Sequence, residues 1–269
     1  MKHLRIGAFG FALLLSGFAC TAISPPRSRV AVPLQAITAD AILQTFDLRW
    51  QSVQDLRALA RVSVSSAKGR YSVRETFMWR RPAALRLDTL TASWQPFMAL
   101  VANAEGASIY YPHEGVFFQG PSTATNLVRF IGLPLDVEDV AHLLTGYIKP
   151  GPRHPWAWTH YQQDQGEHLL RFLREGGDLV QDVWLEPARL LPTRIIRYNS
   201  EGAPSVIVLY ADFRPVTETF PFPYSLAISL PLAGTELRLQ FTAVDLNPGL
   251  PPAVFQLSPP EGTQVVPLD

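Results

Sequence analysis

The stretch RALARVSVSSAKGRYSVRETFMWR, residues 57–80, alternates apolar and polar side chains along nearly its whole length. Ala58, Ala60, Val62 and Val64 fall on one side, and Arg57, Arg61, Ser63 and Ser65 on the other. Lys68-Gly69 supplies a turn, after which Tyr71, Val73, Phe77 and Trp79 share a face opposite Ser72, Arg74, Thr76 and Arg80. Successive side chains of a strand point to opposite sides of a sheet, so a period of two with one apolar side predicts a half-buried strand. Two such strands around a short turn predict a hairpin in an antiparallel sheet with one covered face. Glu75 is the odd member of the apolar face. A carboxylate there can reach the rim, pair with an arginine or meet a polar head group, and the three uses stay open.

The same pattern continues on both sides of this hairpin. Arg81-Pro82 ends the second strand, and Leu85 and Leu87 then alternate with Arg86 and Asp88. Further strands are predicted at 97–102, 108–111 and 116–119, with turns at Glu105-Gly106 and Glu114-Gly115. After a proline-rich break at Pro150, Pro152 and Pro155, strands return at 156–162, 168–173, 179–186, 193–198, 205–211, 225–230 and 236–243. In the last of these Leu237, Leu239, Phe241 and Ala243 alternate with Glu236, Arg238, Gln240 and Thr242. Helical spacing occurs in only three places. Residues 38–54 carry Ile42, Leu43, Phe46, Trp50 and Val53 behind a Thr38 cap. Leu127, Val128, Phe130 and Ile131 precede Gly132-Leu133-Pro134, and Asp136 can cap a helix with Val137, Val140, Ala141 and Leu144, stopped by Gly146. No repeat of fixed length is evident. The prediction is a mainly β, α+β chain: a long antiparallel sheet, strongly curved or barrel-like, interrupted by one helical insertion.

Cys20 is the only cysteine and follows an export-like leader. Met1-Lys2-His3-Leu4-Arg5 is a basic start, and residues 6–19 are apolar apart from Ser16, ending in Gly17-Phe18-Ala19. That is the plan of a secretory signal, too short for the ~20 apolar residues of a spanning helix. Residues 21–33, with Pro25, Pro26 and Pro33, have the composition of an extended tether. The expected organisation is a signal peptide at 1–19, a tether at 20–35 and a folded domain at 36–269.

Charge excludes some classes of partner. The chain has 23 basic and 23 acidic residues, and loss of Lys2 and Arg5 with the leader would leave it near neutral. Neither a basic excess nor a dense Lys/Arg stripe is present, which argues against nucleic acid and against polybasic membrane attachment. His113, His142, His154, His160 and His168 lack metal-ligand spacing, and neither a Gly-x-Ser-x-Gly elbow nor a glycine-rich phosphate loop occurs. His142 reads as a surface or lid residue. No catalytic residue, metal or cofactor is assigned, and the expectation is a protein that is not an enzyme.

The arrangement resembles a known family. A leader ending at a cysteine resembles the lipobox of bacterial lipoproteins, in which the thiol is acylated, although Gly17 stands where leucine is usual and Leu15 lies further back. An ordinary cleaved signal with a nearby cysteine is the alternative. The N-terminal helix, the amphipathic strands, Phe130-Ile131-Gly132-Leu133-Pro134-Leu135, the helix ending Leu143-Leu144-Thr145-Gly146, and the closing Phe255-Gln256-Leu257 and Pro260-Glu261-Gly262-Thr263 are similar to the LolA/LolB superfamily, over residues 38–265. The likeness is closer to the LolB-type acceptors, which take lipoproteins from a LolA-like periplasmic carrier. This chain departs in being longer, with additional proline-rich connections.

The resemblance implies an unclosed antiparallel barrel whose concave face is capped by short helices around an apolar cavity for acyl chains. It implies a monomer anchored at Cys20, with Thr21 in the position that favours the periplasmic face of the outer membrane. Cavity walls would come from Val62, Val64, Val73, Phe77, Leu85, Leu87, Leu237, Leu239 and Phe241, and a lid from Leu127, Phe130, Ile131, Val140 and Leu144. The same faces would equally make an ordinary core, because periodicity does not reveal empty space. A projecting apolar loop that helps deliver cargo would fall at 92–98, with Trp94 and Phe97 as its tip residues. Trp94 packed back on the sheet, with Phe97 starting a strand, is the alternative. The cargo would be lipoprotein acyl chains, or else free phospholipid or glycolipid; a structural, adaptor or signalling envelope lipoprotein is the reading from another class.

Overall fold

The structure, a computed structural model, describes residues 37–132, 135–148, 156–162, 166–174 and 177–269. Cys20, the tether and Leu133-Pro134 lie outside the described residues. Helix α1 (Ala39–Gln51) begins where Thr38 Oγ1 accepts the Ala41 N–H at 3.2 Å, and it buries Ile42, Phe46 and Trp50 at successive turns. It stops before the predicted residue 54. Ser52 caps it by donating its N–H to the carbonyls of Arg49 and Trp50. Val53 is buried, and Gln54 and Asp55 donate their N–H groups to Asn247 Oδ1, which ties the start of the next element to the residue just after Leu246, the partner of Leu56 on the neighbouring strand.

Strands β1 (Asp55–Ser66) and β2 (Gly69–Arg80) form the predicted hairpin, with Leu56 opposite Trp79, Ala58 opposite Phe77, Ala60 opposite Glu75 and Val62 opposite Val73. The meander continues through β3 (Ala84–Leu90), β4 (Pro96–Asn103), β5 (Gly106–Tyr111) and β6 (Val116–Gly120). Two short helices follow, α2 (Ala124–Ile131) and α3 (Val137–Thr145). Thr123 and Asp136 cap their first turns, and Gly132 and Gly146 end them in the left-handed conformation at φ 76° and 70°, which glycine adopts without a Cβ penalty.

A second meander runs through β7 (Trp156–Gln162), β8 (Glu167–Leu173), β9 (Leu179–Glu186), β10 (Leu191–Tyr198), β11 (Pro204–Pro215), β12 (Pro221–Leu230) and β13 (Thr235–Leu246). β13 returns to pair with β1, placing Val62 opposite Leu239 and Val64 opposite Leu237. The last strand, β14 (Gln264–Pro267), lies parallel to β6 and was not predicted. Among the described residues the result is one sheet of 14 strands in the order β14-β6-β5-β4-β3-β2-β1-β13-β12-β11-β10-β9-β8-β7. Every other pairing is antiparallel. Sheets beyond ~10 strands curl under their accumulated twist, and here the two edges stay unpaired with each other, so the barrel is unclosed. The chain crosses between the two meanders through α2 and α3.

The concave face is closed by helices at one end. Trp50 of α1 meets Trp79 of β2 at 4.9 Å between ring centroids and stacks on Tyr147 at 5.0 Å. Arg81 lies 4.9 Å over the Trp50 ring and donates to the carbonyls of Val53 and Trp50. His142, expected at the surface or lid, is instead buried edge-on against Trp50 at 4.6 Å. The i, i+4 stripe of α3 is wide enough to bring its imidazole inward with Leu143 and Leu144. On the convex side, Val101, Leu250 and Phe255 make a small second core beneath a 3-10 turn (Pro252–Phe255). Asn103 and Arg86 bind that turn through the carbonyls of Phe255 and Val254.

Candidate binding cavity

Along β2 the concave face changes character from one end to the other. Trp79 and Phe77 are buried, Val73 is half-buried, and Tyr71 is 59% exposed at the β1–β2 turn. Beyond Phe77 the space is no longer filled by side chains. A cavity of about 550 Å³ opens there between the sheet and helices α2 and α3, within the ~300–1,000 Å³ range of ligand pockets.

The sheet side of this cavity is formed by Val62 and Val64 of β1, Val73 and Phe77 of β2, Leu87 of β3, and Leu237 and Leu239 of β13. Met98 of β4 and Ile228 of β12 extend it. Phe130 and Ile131 of α2, Leu135 between the helices, and Val140, Leu143 and Leu144 of α3 form the opposite side. Its mouth is rimmed by the β1–β2 turn, from Ser66 to Lys68, by Ala233, and by Thr235 at the start of β13.

Three expected wall or lid residues are elsewhere. Leu85 pairs with Trp79, on the side of Phe77 that α1 closes, and Phe241 pairs with Ala60, level with Glu75. Phe241 packs its ring on Phe222 at 5.0 Å and Phe77 at 6.0 Å, and neither it nor Leu85 borders the cavity. Leu127 lies a turn before Ile131 on α2 and is wholly buried in the core. Met98, Ile228, Leu135 and Leu143 were not named as cavity residues from the sequence. For Met98 the signal existed, since it shares a period of two with Leu100 and Ala102, but apolar Ala99 and Val101 between them hid which side was concave.

Aromatic side chains hold α2 on the sheet. Tyr111 meets Phe97 edge-on at 5.8 Å and Phe118 at 6.2 Å, and Phe118 meets Phe130 at 5.5 Å. Burial and the nearby Glu114 push the Tyr111 hydroxyl pKa up. Trp94 and Phe97, read together from the sequence, separate in space. Trp94 caps a tight 91–95 turn at φ 65°, is 55% exposed, and carries the Arg74 guanidinium over its ring at 4.2 Å. Phe97 begins β4, is 45% exposed, and borders the cavity.

One carboxyl group stands among these walls. Glu75 is 8% exposed and accepts a hydrogen bond at Oε2 from Thr89 Oγ1 at 2.8 Å. Its carboxyl pKa is pushed up to about 7, first by burial and further by Asp88, against the opposing Thr89 hydrogen bond. Among the described residues no three His, Cys, Asp or Glu side chains gather as a metal site. No helix among them is long and apolar enough to cross a membrane.

No family model matches the chain, and no curated protein matches its sequence. Solved structures do. A domain of the outer membrane lipoprotein-sorting protein type from Vibrio parahaemolyticus is 14% identical, with a TM-score of 0.58 over 80% of this chain and 95% of that one. A LolA superfamily protein from Nitrosomonas europaea is 13% identical, with a TM-score of 0.57 over 82% and 99%. A DUF1329 family protein from Desulfovibrio piger is 14% identical, with a TM-score of 0.56 over 81% and 96%. At these identities the likeness is one of backbone arrangement, and on that ground the chain has the LolA-type fold, an unclosed antiparallel barrel with short helices over its concave face.

Proposed function

We propose that this protein binds acyl chains in the cavity between its sheet and α2–α3, accepts lipoproteins from a LolA-like periplasmic carrier, and inserts them into the outer membrane. The apolar cavity of about 550 Å³ carries this reading. Each methylene moved from water into it is worth at most about 0.8 kcal/mol. Release requires the bilayer to be the better solvent, so the cavity must hold a chain less tightly than the membrane does. Side chains packed only against α2 and α3 on one side suit such loose binding. In this reading the protein is a monomer held by acylated Cys20 through the 20–35 tether, with residues 36–269 as the carrier domain, and it needs no cofactor and performs no catalysis. Trp94, exposed on its turn, supplies the membrane-directed tip, because an indole is at home in the interfacial layer.

Native mass spectrometry of the Cys20→Ala chain, purified without detergent from its own envelope, tests the reading. An additional mass that fragments as an acylated peptide supports lipoprotein handling. A phospholipid or glycolipid mass makes it a free-lipid carrier. A clean apo mass that takes up no added lipid sinks the carrier reading in favour of an adaptor.

A further inference from the structure

Glu75 Oε1 is shut off from solvent and, among the described residues, has no hydrogen-bond partner. The other oxygen is already used by Thr89. The residue sits between Val73 and Phe77 on the concave face of β2, borders the cavity, and has only Ala60 across from it on β1. An unpaired buried polar atom of this kind is rare and costly in folded proteins. We propose that Glu75 is the cavity's polar contact for its ligand: a side-chain rotation about its soft terminal torsion turns the enclosed Oε1 to the cavity, where it donates a hydrogen bond to the carbonyl oxygen that heads an ester- or amide-linked acyl chain. This rests on the acyl-chain reading above and adds to it a requirement on the ligand's head.

The surroundings favour a neutral, donating carboxyl. On β3, Asp88 lies next to Thr89 and repels negative charge on Glu75. On β1 and β13 the cavity-facing neighbours are aliphatic. The other ionisable residues bordering the cavity are Lys68 at the mouth, Tyr71 on β2, Tyr111 on β5 and Arg129 on α2, the last with its guanidinium over Phe130. No described cation makes an ion pair with Glu75. The raised carboxyl pKa agrees with a proton held near neutrality. A ligand ammonium would have to shed its water among hydrocarbon walls, whereas a carbonyl oxygen brings a single acceptor at much smaller desolvation cost.

The test is displacement of a fluorescent alkyl probe from the Cys20→Ala chain by a fatty-acid methyl ester and by the n-alkane of equal length. Wild type and Glu75→Gln, which retains a donor, should prefer the ester by about tenfold, the factor one buried hydrogen bond supplies. Glu75→Leu should bind the alkane at least as well and lose the preference. Between about pH 5 and about pH 9 the wild-type preference should fade as the carboxyl ionises, while that of Glu75→Gln stays constant. An ester-to-alkane ratio equal in wild type and Glu75→Leu overturns the contact while leaving the acyl-chain cavity standing. Binding of neither ligand overturns both. A diacyl phospholipid and a synthetic diacylated lipopeptide then serve as competitors. Competition weakened about tenfold by Glu75→Leu supports the contact and names the source, and competition unaffected by the substitution overturns it.

Discussion

Strand β2 presents one continuous concave face, yet its two ends do different work. Around Trp79 that face is filled: Trp50, Tyr147, His142 and Arg81 converge from α1, α3 and the strand end itself. Around Val73 and Tyr71 the same period of two borders empty space. The strand is alike at both ends, and the covering element differs. A helix carrying tryptophan lies on the first, and the short α2–α3 pair spans the second. The period of two specifies which side is apolar, while the mass of the facing side chains decides whether that side becomes core or cavity.

The sharpest way to break this contrast is to truncate each end. Trp79→Ala is expected to lose about 3–5 kcal/mol in denaturant unfolding, since it removes a wholly enclosed ring. Val73→Ala, at the cavity, should lose about 1 kcal/mol or less. Equal losses would mean the cavity end is as tightly packed as the other.

Glu75 gives the next largest effect. Its folded pKa of about 7 lies above the ordinary 4.5, so the folded state holds the proton more strongly than the unfolded one. The associated stability is complete below about pH 4.5 and is lost as pH rises through about 7, a fall of about 3 kcal/mol. Unfolding of wild type and Glu75→Gln across that window should show the fall in wild type alone.

Filling the cavity sharpens the comparison from the other side. Val73→Trp is expected to change stability by about 1 kcal/mol while alkyl-probe affinity falls about tenfold or more. A parallel loss of stability would show that no spare volume existed.

The smallest stability effect belongs to Trp94. Trp94→Glu removes an exposed cation–π contact with Arg74, worth about 0.5–1 kcal/mol, and should leave probe binding unchanged while liposome insertion of cargo drops. Phe97→Glu, at the cavity border, should reduce both. Insertion that survives Trp94→Glu would remove the loop from the mechanism.

Much of the fold was legible because each strand has one wet and one dry side. The 57–80 hairpin, the caps at Thr38 and Asp136 and the stop at Gly146 stand where residue chemistry put them. Strand β14 was not legible. It has four residues, carries no periodic signal, and forms by pairing parallel to the β6 edge, where Gln264 and Leu268 also donate N–H groups to the Gly115 and Gln119 carbonyls. Of the site, Val62, Val64, Val73, Phe77, Leu87, Leu237 and Leu239 could be placed on the right side of the sheet from alternation alone. Leu85 and Phe241 share that alternation and lie in the core, because what packs over a given position, Trp79 beside Leu85 and Phe222 on Phe241, is not written in a local pattern. Residue by residue, then, the sequence determined strand faces, turns and helix ends, which depend on backbone geometry and near neighbours. Only the tertiary structure decided that β13 returns to β1, that His142 turns inward, and that Glu75 is left with an unpaired oxygen beside a cavity, since these depend on what distant segments bring to the same place.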